Sequence, residues 1–206
     1  MKIKKLTLGI VAHADAGKTT LSEAMLFNAK VIRKLGKVDD KNTALDTDAV
    51  EKRRGITIYS REARLERNGV LLQFIDTPGH VDFGAEMERV LPVLDAAVLV
   101  ISGISGVENH TRTLWKLLRY YNIPAFIFVN KMDIARESRE TLFEKLKGEL
   151  SENLIDFSQE KTQIEEELAF CDDELFSLYT EKNQMPEGGV RKAFSKREFL
   201  DRKSVV

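Results

Sequence analysis

The stretch of sequence that decides the fold is residues 6–20, which read LTLGIVAHADAGKTT. Residues 6–11 form a short, largely apolar and partly β-branched run, as expected for a strand that is buried on both faces of a parallel sheet. Residues 12–20 follow directly and contain Gly17 and Lys18 just before the next amphipathic pattern begins. The stretch therefore predicts a strand, a tight loop and the first turn of a helix.

Apolar runs and amphipathic stretches alternate through the first three quarters of the chain. Runs of the same kind as residues 6–11 recur at 71–75, 96–101 and 125–129. The helical pattern after Gly106 places one face at spacings of three and four residues, formed by Val107, Thr111, Leu114, Leu118 and Tyr121. We predict an α/β three-layer sandwich with a mostly parallel sheet and helices on both sides.

One connection breaks the alternation of strand and helix. Residues 57–66 alternate in the manner of a half-exposed strand, and Asn68 and Gly69 follow as a hairpin turn before the run at 71–75. We therefore predict one antiparallel edge strand at 57–66. The polar segment 30–55 shows little periodicity, and a loop of that length in a compact domain is usually functional.

The composition changes after Glu149. Acidic clusters appear at 165–167 and 172–174, and the apolar spacing across 159–181 predicts a single amphipathic helix that includes Cys171. We expect residues 1–149 to form a domain core and residues 150–206 to form a helical acidic insert with an incomplete C-terminal part of the same domain.

The bulk composition excludes several classes of protein. The 206 residues carry a formal net charge of −1, so there is no broad electrostatic case for binding DNA. A single cysteine excludes an internal disulfide framework and fits a reducing compartment. No apolar stretch approaches the length of a membrane span. These features predict a cytoplasmic protein without membrane attachment.

The loop after the first predicted strand matches the spacing of a phosphate-binding loop, with Ala12 in place of the opening glycine. Backbone N–H groups at a helix N-terminus point at phosphate oxygens, and the helix dipole favours the negative charge. In this pattern Lys18 reaches the terminal phosphates and Thr19 offers its hydroxyl to Mg²⁺. The predicted nucleotide contacts from this loop are Asp15, Ala16, Gly17, Lys18, Thr19 and Thr20. The alternative is an ordinary strand–turn–helix corner with a surface lysine.

A second motif, DTPGH at residues 76–80, follows the apolar run 71–75. A carboxylate at a strand end beside the phosphate loop can hold Mg²⁺, so Asp76 is a candidate metal residue, and Gly79 can offer its N–H to a terminal phosphate. Taken alone, the same residues would make a good turn.

A third motif, NKMD at residues 130–133, follows the apolar run 125–129. The Asp133 carboxylate can accept hydrogen bonds from the N1–H and the exocyclic amine of guanine, whereas adenine has the opposite polarity there. Asn130 and Lys131 complete the predicted base site. In isolation Asp133 could equally cap the next helix. The three motifs together, each at the end of an apolar strand, predict a P-loop NTPase fold that binds GTP and GDP.

Two further features narrow the family. The segment RGITI at 54–58 and His80 directly after Gly79 resemble the translational GTPases. The segments at 12–20 and 76–83 are similar to the elongation factor G branch, and above all to tetracycline-resistance ribosomal protection proteins. The resemblance covers roughly residues 1–182. It implies that Thr57 binds Mg²⁺ and the terminal phosphate, and that His80 orients the attacking water, so that His80, Lys18 and Thr57 form the catalytic set.

The resemblance also implies a partner, a cofactor and an activity, and this sequence differs from its relatives in one respect. The ribosome is the expected partner of the full-length protein, with Mg²⁺ as the cofactor and GTP hydrolysis as the activity. Relatives have a further strand and a Ser-Ala loop against guanine, whereas no Ser-Ala dipeptide occurs in the second half of this sequence. The alternative function is therefore a truncated guanine-nucleotide-binding fragment with little or no turnover. An incomplete sheet would expose backbone groups that self-association could cover.

Overall fold

The computed structural model describes residues 4–32, 61–67, 70–79, 84–152, 154–170, 173–182 and 185. Five strands lie in this part of the chain, and they are β1 Lys4–Ala12, β2 Arg61–Arg67, β3 Val70–Asp76, β4 Ala96–Ser102 and β5 Ala125–Asn130. The helices that accompany them are α1 Lys18–Asn28, α2 Gly84–Val90, α3 Asn109–Tyr120, α4 Arg139–Glu149, α5 Lys161–Ala169 and α6 Asp173–Lys182. A 3₁₀ turn at Leu91–Val93 extends α2.

The strands form one five-stranded sheet in the order β2-β3-β1-β4-β5. Strand β1 pairs in parallel with β3 on one side and with β4 on the other, and β4 pairs in parallel with β5. Strand β2 runs antiparallel to β3 at one edge of the sheet. The predicted α/β class with one antiparallel edge strand is therefore confirmed.

Alternate residues of the central strands pack into two separate apolar layers. Ile10 and Val100 face a cluster with Leu26 of α1, whereas Val11 and Leu99 face the other cluster. That second, larger cluster includes buried side chains from the helices on the opposite face of the sheet, which are Met87, Leu114, Leu118, Leu142 and Leu146. Helices therefore cover both faces of the sheet, as the three-layer prediction required.

The described part of the antiparallel strand agrees with the prediction. Strand β2 covers residues 61–66 of the predicted strand and one residue beyond it, while residues 57–60 lie outside the described residues. Its outward residues Arg64 and Glu66 are exposed, whereas Ala63 packs against the smaller apolar cluster. The alternation therefore reflects one covered and one open face, as in other antiparallel edge strands.

The prediction of one continuous helix over 159–181 is wrong. The structure has two helices, and α5 ends with Phe170 as its C-cap. The rings of Phe170 and Phe176 stack with centroids 4.9 Å apart. In a continuous α-helix, residues six apart are separated by about 9 Å along the axis and by about 120° around it, so their rings could not stack.

In the part of the chain that the structure describes, no helix combines the length and the apolar character that crossing a membrane would need.

We predict that Leu99→Ala lowers the free energy of unfolding by about 2–5 kcal/mol, because it empties space in the larger apolar cluster. Leu99 is fully buried in β4. Val93→Ala is the control, since Val93 is 60% exposed and its truncation should cost less than about 0.5 kcal/mol. Urea denaturation of both variants measures the difference. Equal losses in the two variants would contradict the assignment of Leu99 to the core.

Candidate functional site

The loop between β1 and α1 is held in a conformation that needs glycine at one position. Gly17 precedes α1 as its N-cap with φ of 94° and ψ of 26°, in the left-handed region that glycine adopts at low cost. Because glycine has no side chain, the N–H groups in the first turn of α1 receive no side-chain cap from it. Lys18 and Thr19 lie in this turn and are largely buried. The arrangement leaves a positive helix end facing the carboxyl edge of the sheet.

A buried ion pair connects this loop to β3. Lys18 Nζ lies 2.8 Å from Asp76 Oδ1, and the two side chains are only 6% and 2% exposed. The direction of the ammonium group does not meet hydrogen-bond geometry, so this is a close contact between charges. Ser22 Oγ donates to the same Asp76 Oδ1 at 3.1 Å. Lys18 and Asp76 are predicted for this site from the sequence, whereas Ser22 is not.

The residues after Asp76 lie against the phosphate loop. Thr77 donates both its backbone N–H and its hydroxyl to the Ile10 carbonyl, at 3.3 and 2.8 Å. A Cβ added to Gly79 would lie 3.4 Å from the Ala12 carbonyl O and 3.7 Å from Lys18 Cε. The backbone after β3 therefore lies close to the loop, although a Cβ at this position would make only ordinary van der Waals contacts. The second motif is tied to the end of β1, which an isolated turn would not require.

The third motif is connected to the same loop by two hydrogen bonds. Asn130 Nδ2 donates to the Ala16 carbonyl at 2.9 Å, and Lys131 Nζ donates to the Asp15 carbonyl at 2.7 Å. Both Asp15 and Lys131 have positive φ values, of 60° and 61°. Non-glycine residues adopt this region at a cost, and such strain often occurs at functional sites. The loops after β1 and β5 therefore form one connected surface.

Asp133 does not cap the next helix. It lies exposed in the turn after Lys131, six residues before α4 begins. Ser138 is the N-cap of α4, and its side chain accepts a hydrogen bond from the Thr141 N–H. The alternative interpretation of Asp133 as a capping residue is therefore wrong, and its carboxylate is available at the surface of the site.

His13 is a buried residue of the loop to which the sequence assigned no chemical role. Its side chain is 4% exposed and its Nδ1 lies 3.3 Å from Glu108 Oε1. Neither ring nitrogen meets hydrogen-bond geometry, although the distance to the carboxylate is short. Glu108 precedes α3, so the contact links the phosphate loop to that helix.

Several predicted site residues cannot be compared with the fold. Thr57 and His80 lie outside the described residues, as do Ile56 and the rest of the segment at 54–58. Thr20 is described, and it is exposed on the first turn of α1.

The oxygen donors near the ion pair suit a magnesium ion. Mg²⁺ prefers hard oxygen ligands and commonly takes only one or two from the protein, with phosphate oxygens and water completing its shell. The Asp76 carboxylate and the Thr19 hydroxyl are donors of this kind at adjoining ends of β3 and α1. Among the described residues, no three His, Cys, Asp or Glu side chains gather as a metal cluster. The Asp76 carboxylate and the Thr19 hydroxyl would together supply the one or two protein ligands that Mg²⁺ commonly takes.

We predict that Gly17→Ala destabilises the protein much more than Gly106→Ala. Both glycines have positive φ, but a Cβ at Gly17 would lie 2.1 Å from Asn130 Nδ2, while a Cβ at Gly106 meets nothing within 4 Å. Gly106→Ala should therefore cost only the backbone strain, about 1–2 kcal/mol. Urea denaturation measures both.

A second variant distinguishes the steric clash of a Cβ at Gly17 with Asn130 from the backbone strain of a positive φ. In an Asn130→Ala background the collision is removed, so Gly17→Ala should then cost no more than Gly106→Ala does. A large remaining cost would show that Asn130 is not the obstacle.

Comparison with known proteins gives a consistent result. The family described as the elongation factor Tu GTP-binding domain matches residues 4–195. The tetracycline resistance protein TetP of Clostridium perfringens is 45% identical over 152 residues, which are 74% of this chain and 23% of that protein. TetS of Listeria monocytogenes is 42% identical over 153 residues, which are 74% of this chain and 24% of that protein. The chain thus spans about a quarter of the length of these relatives.

A solved structure shares the fold. In the crystal structure of a Thermus thermophilus protein, the aligned region covers 98% of this chain and 37% of that chain with a TM-score of 0.85. The identity is 22%, so this match bears on the fold alone. Together with the loops joined at the carboxyl edge of the sheet, the family match establishes that this chain belongs to the elongation factor Tu GTP-binding domain family.

Proposed function

We propose that this chain is the GTP-binding and GTP-hydrolysing module of a ribosome-associated translation factor. The observation that carries the proposal is the junction of three loops. The phosphate loop meets Asp76 through Lys18, and it meets the base motif through Asn130 and Lys131. One side of the junction offers phosphate-binding groups and the other offers a carboxylate for a base, as a guanine nucleotide requires.

The phosphate side of the site would stabilise the transferred phosphoryl group. Lys18 would exchange its contact with Asp76 for the terminal phosphates, and the N–H groups at the start of α1 would hold the remaining oxygens. Thr19 and Asp76 would hold Mg²⁺, which supplies charge neutralisation when it is bound. These groups are held by the fold before the reaction, so little reorganisation is needed as charge develops.

The remaining catalytic groups come from the family resemblance. We assign His80 to orient the attacking water and Thr57 to contact Mg²⁺ and the terminal phosphate. Gly79 supports the assignment of His80, because it lies against the phosphate loop and His80 is the next residue. The backbone of Gly79 would donate to the terminal phosphate.

The base side of the site would select guanine. Asn130 and Lys131 brace the phosphate loop, so their role is to hold the two loops together at a fixed separation. Asp133, exposed in the same turn, would accept two hydrogen bonds from guanine. Adenine would leave these polar groups mismatched, which would weaken its binding.

The relatives support a proposal for the compartment and the partner of this protein, because they are named as tetracycline resistance proteins. We infer a cytoplasmic protein of this type, acting on the ribosome through a longer chain. We assign residues 1–149 to the core of the module and residues 150–206 to a helical part of the same domain. In support, Leu154 packs into the larger apolar cluster of the core.

Self-association is a further part of the proposal. Strand β5 forms one edge of the described sheet, and Phe126 and Phe128 on it are 36% and 41% exposed. Pairing of a strand from a second copy at this edge would cover the exposed parts of both rings.

Nucleotide binding and turnover test the main proposal. Titration of the purified chain with GDP and ADP in the presence of Mg²⁺ should show binding of GDP at least about 100-fold tighter, as expected when polar groups must match. GTP hydrolysis with and without ribosomes should show stimulation by ribosomes. Binding of GDP without hydrolysis under either condition would favour the alternative of a binding fragment. Equal affinity for ADP would contradict the assigned base site.

We predict that Asp133→Asn changes the preferred base from guanine to xanthine. The amide can donate to the additional oxygen of xanthine, whereas the carboxylate cannot. Competition between GDP and XDP measures the change. Asp173→Asn is a matched control in the acidic helical region, and it should leave the preference for GDP intact. Retained preference for GDP in Asp133→Asn would show that Asp133 does not recognise the base.

A further inference from the structure

Ser22 lies at the centre of the buried contact between α1 and β3. Its side chain is 4% exposed. Its Oγ is 3.0 Å from the Lys18 carbonyl O and 3.1 Å from Asp76 Oδ1. The Lys18 ammonium lies 2.8 Å from the same carboxylate oxygen. One oxygen of Asp76 is therefore approached by a hydroxyl and by an ammonium group, both from α1.

The spacing of α1 explains this convergence. Ser22 follows Lys18 by four residues, so the two side chains lie on the same face of the helix, one turn apart. The register of β1 with β3 pairs Ile10 with Asp76 and so brings the end of β3 beside the start of α1. The hydroxyl and the carboxylate therefore meet only after the sheet has formed.

A serine in the middle of a helix often bonds to the carbonyl four residues earlier and does nothing else. Ser177 in α6 does this, with its Oγ 3.0 Å from the Asp173 carbonyl O. Ser22 differs because its Oγ also reaches a carboxylate. A hydrogen bond to an ionised acceptor is roughly twice as strong as one between neutral groups, so the single hydroxyl proton favours Asp76.

We propose that Ser22 is a positioning residue that fixes the Asp76 carboxylate for binding Mg²⁺. The proposal rests on the GTPase function proposed above, in which Lys18 contacts the terminal phosphates. When the ammonium group makes that contact, the hydroxyl of Ser22 continues to hold Oδ1 from the α1 side. This hydrogen bond would keep the Asp76 carboxylate in one orientation toward the metal.

The size of the expected effect follows from similar groups in other metal sites. Removing a partner that orients a ligand typically weakens metal binding by about 10- to 100-fold. The hydroxyl of Ser22 lies within hydrogen-bond distance of the Lys18 carbonyl and of Asp76, so the main effect of its loss should be on the carboxylate that would hold the metal. The effect of the substitution should therefore appear in how nucleotide release depends on the concentration of Mg²⁺.

The test measures release of a fluorescent GDP analogue from the purified chain as the concentration of Mg²⁺ is varied. In Ser22→Ala, the concentration of Mg²⁺ that slows release half-maximally should rise about tenfold or more. Release in excess EDTA should equal that of the unchanged chain. Ser22→Thr keeps the hydroxyl and should retain the original midpoint. Ser177→Ala removes a helix-internal hydroxyl without a carboxylate partner and should also retain it.

Three results would overturn the proposal. An unchanged midpoint in Ser22→Ala would show that the hydroxyl does not act on the metal. An equal shift in Ser22→Thr would assign the effect to packing. Faster release of GDP from Ser22→Ala in EDTA, by the same factor as in Mg²⁺, would indicate a general structural role. If Ser22→Ala does not fold, Ser22→Cys, with its weaker donor, should shift the midpoint in the same direction, and no shift would count against the proposal.

The same measurements on the chain without substitutions distinguish failure of the role of Ser22 from failure of the proposed GTPase function. If that chain fails to bind GDP, or if release is insensitive to Mg²⁺, the proposed function and the role of Ser22 both fail. If release responds to Mg²⁺ and Ser22→Ala behaves identically, the role of Ser22 alone fails.

Discussion

The parallel pairing of β1 with both β3 and β4 is the constraint on which the rest of the site depends. It places Ile10 beside Asp76 on one side and Ala12 beside Val100 on the other. Since parallel strands end at the same edge of a sheet, the loops that follow β1 and β3 must meet there. The pairing of β4 with β5 extends this edge to Asn130. Residues more than a hundred positions apart in the chain are thereby brought within hydrogen-bond distance.

The carboxyl edge of the sheet holds two opposite charges that are largely shielded from solvent. Lys18 and Asp76 are both more than nine-tenths buried, and removing one partner of such a pair typically costs about 3–5 kcal/mol. A buried pair of this kind adds little net stability compared with apolar packing. In the function proposed above, the same ammonium and carboxylate would contact a phosphate and a metal ion. Stability comes instead from the apolar layers on the two faces of the sheet.

The sequence was sufficient for the strands and named several of the residues that the structure brings together at the carboxyl edge of the sheet, because both depend on local patterns. The continuous apolar runs predicted the four parallel strands to within about two residues at each end in the described part of the chain. Gly17, Lys18, Asp76 and Asn130 were identified from their positions after these runs. Where a prediction failed, the deciding interaction was not local. The spacing over 159–181 fits a single helix, but the stacking of Phe170 on Phe176 requires two.

The sequence by itself determined the order of the elements, the presence of a phosphate-loop pattern and the type of chemistry that each motif can perform. Those properties follow from residue type and spacing along one segment. Only the tertiary structure decided which groups touch. The contact of Ser22 with Asp76 and the hydrogen bond from Asn130 to the Ala16 carbonyl depend on strand register. They cannot be predicted from the spacing of residues within any one of the segments involved. Register is set by packing over the whole sheet, which a local pattern does not contain.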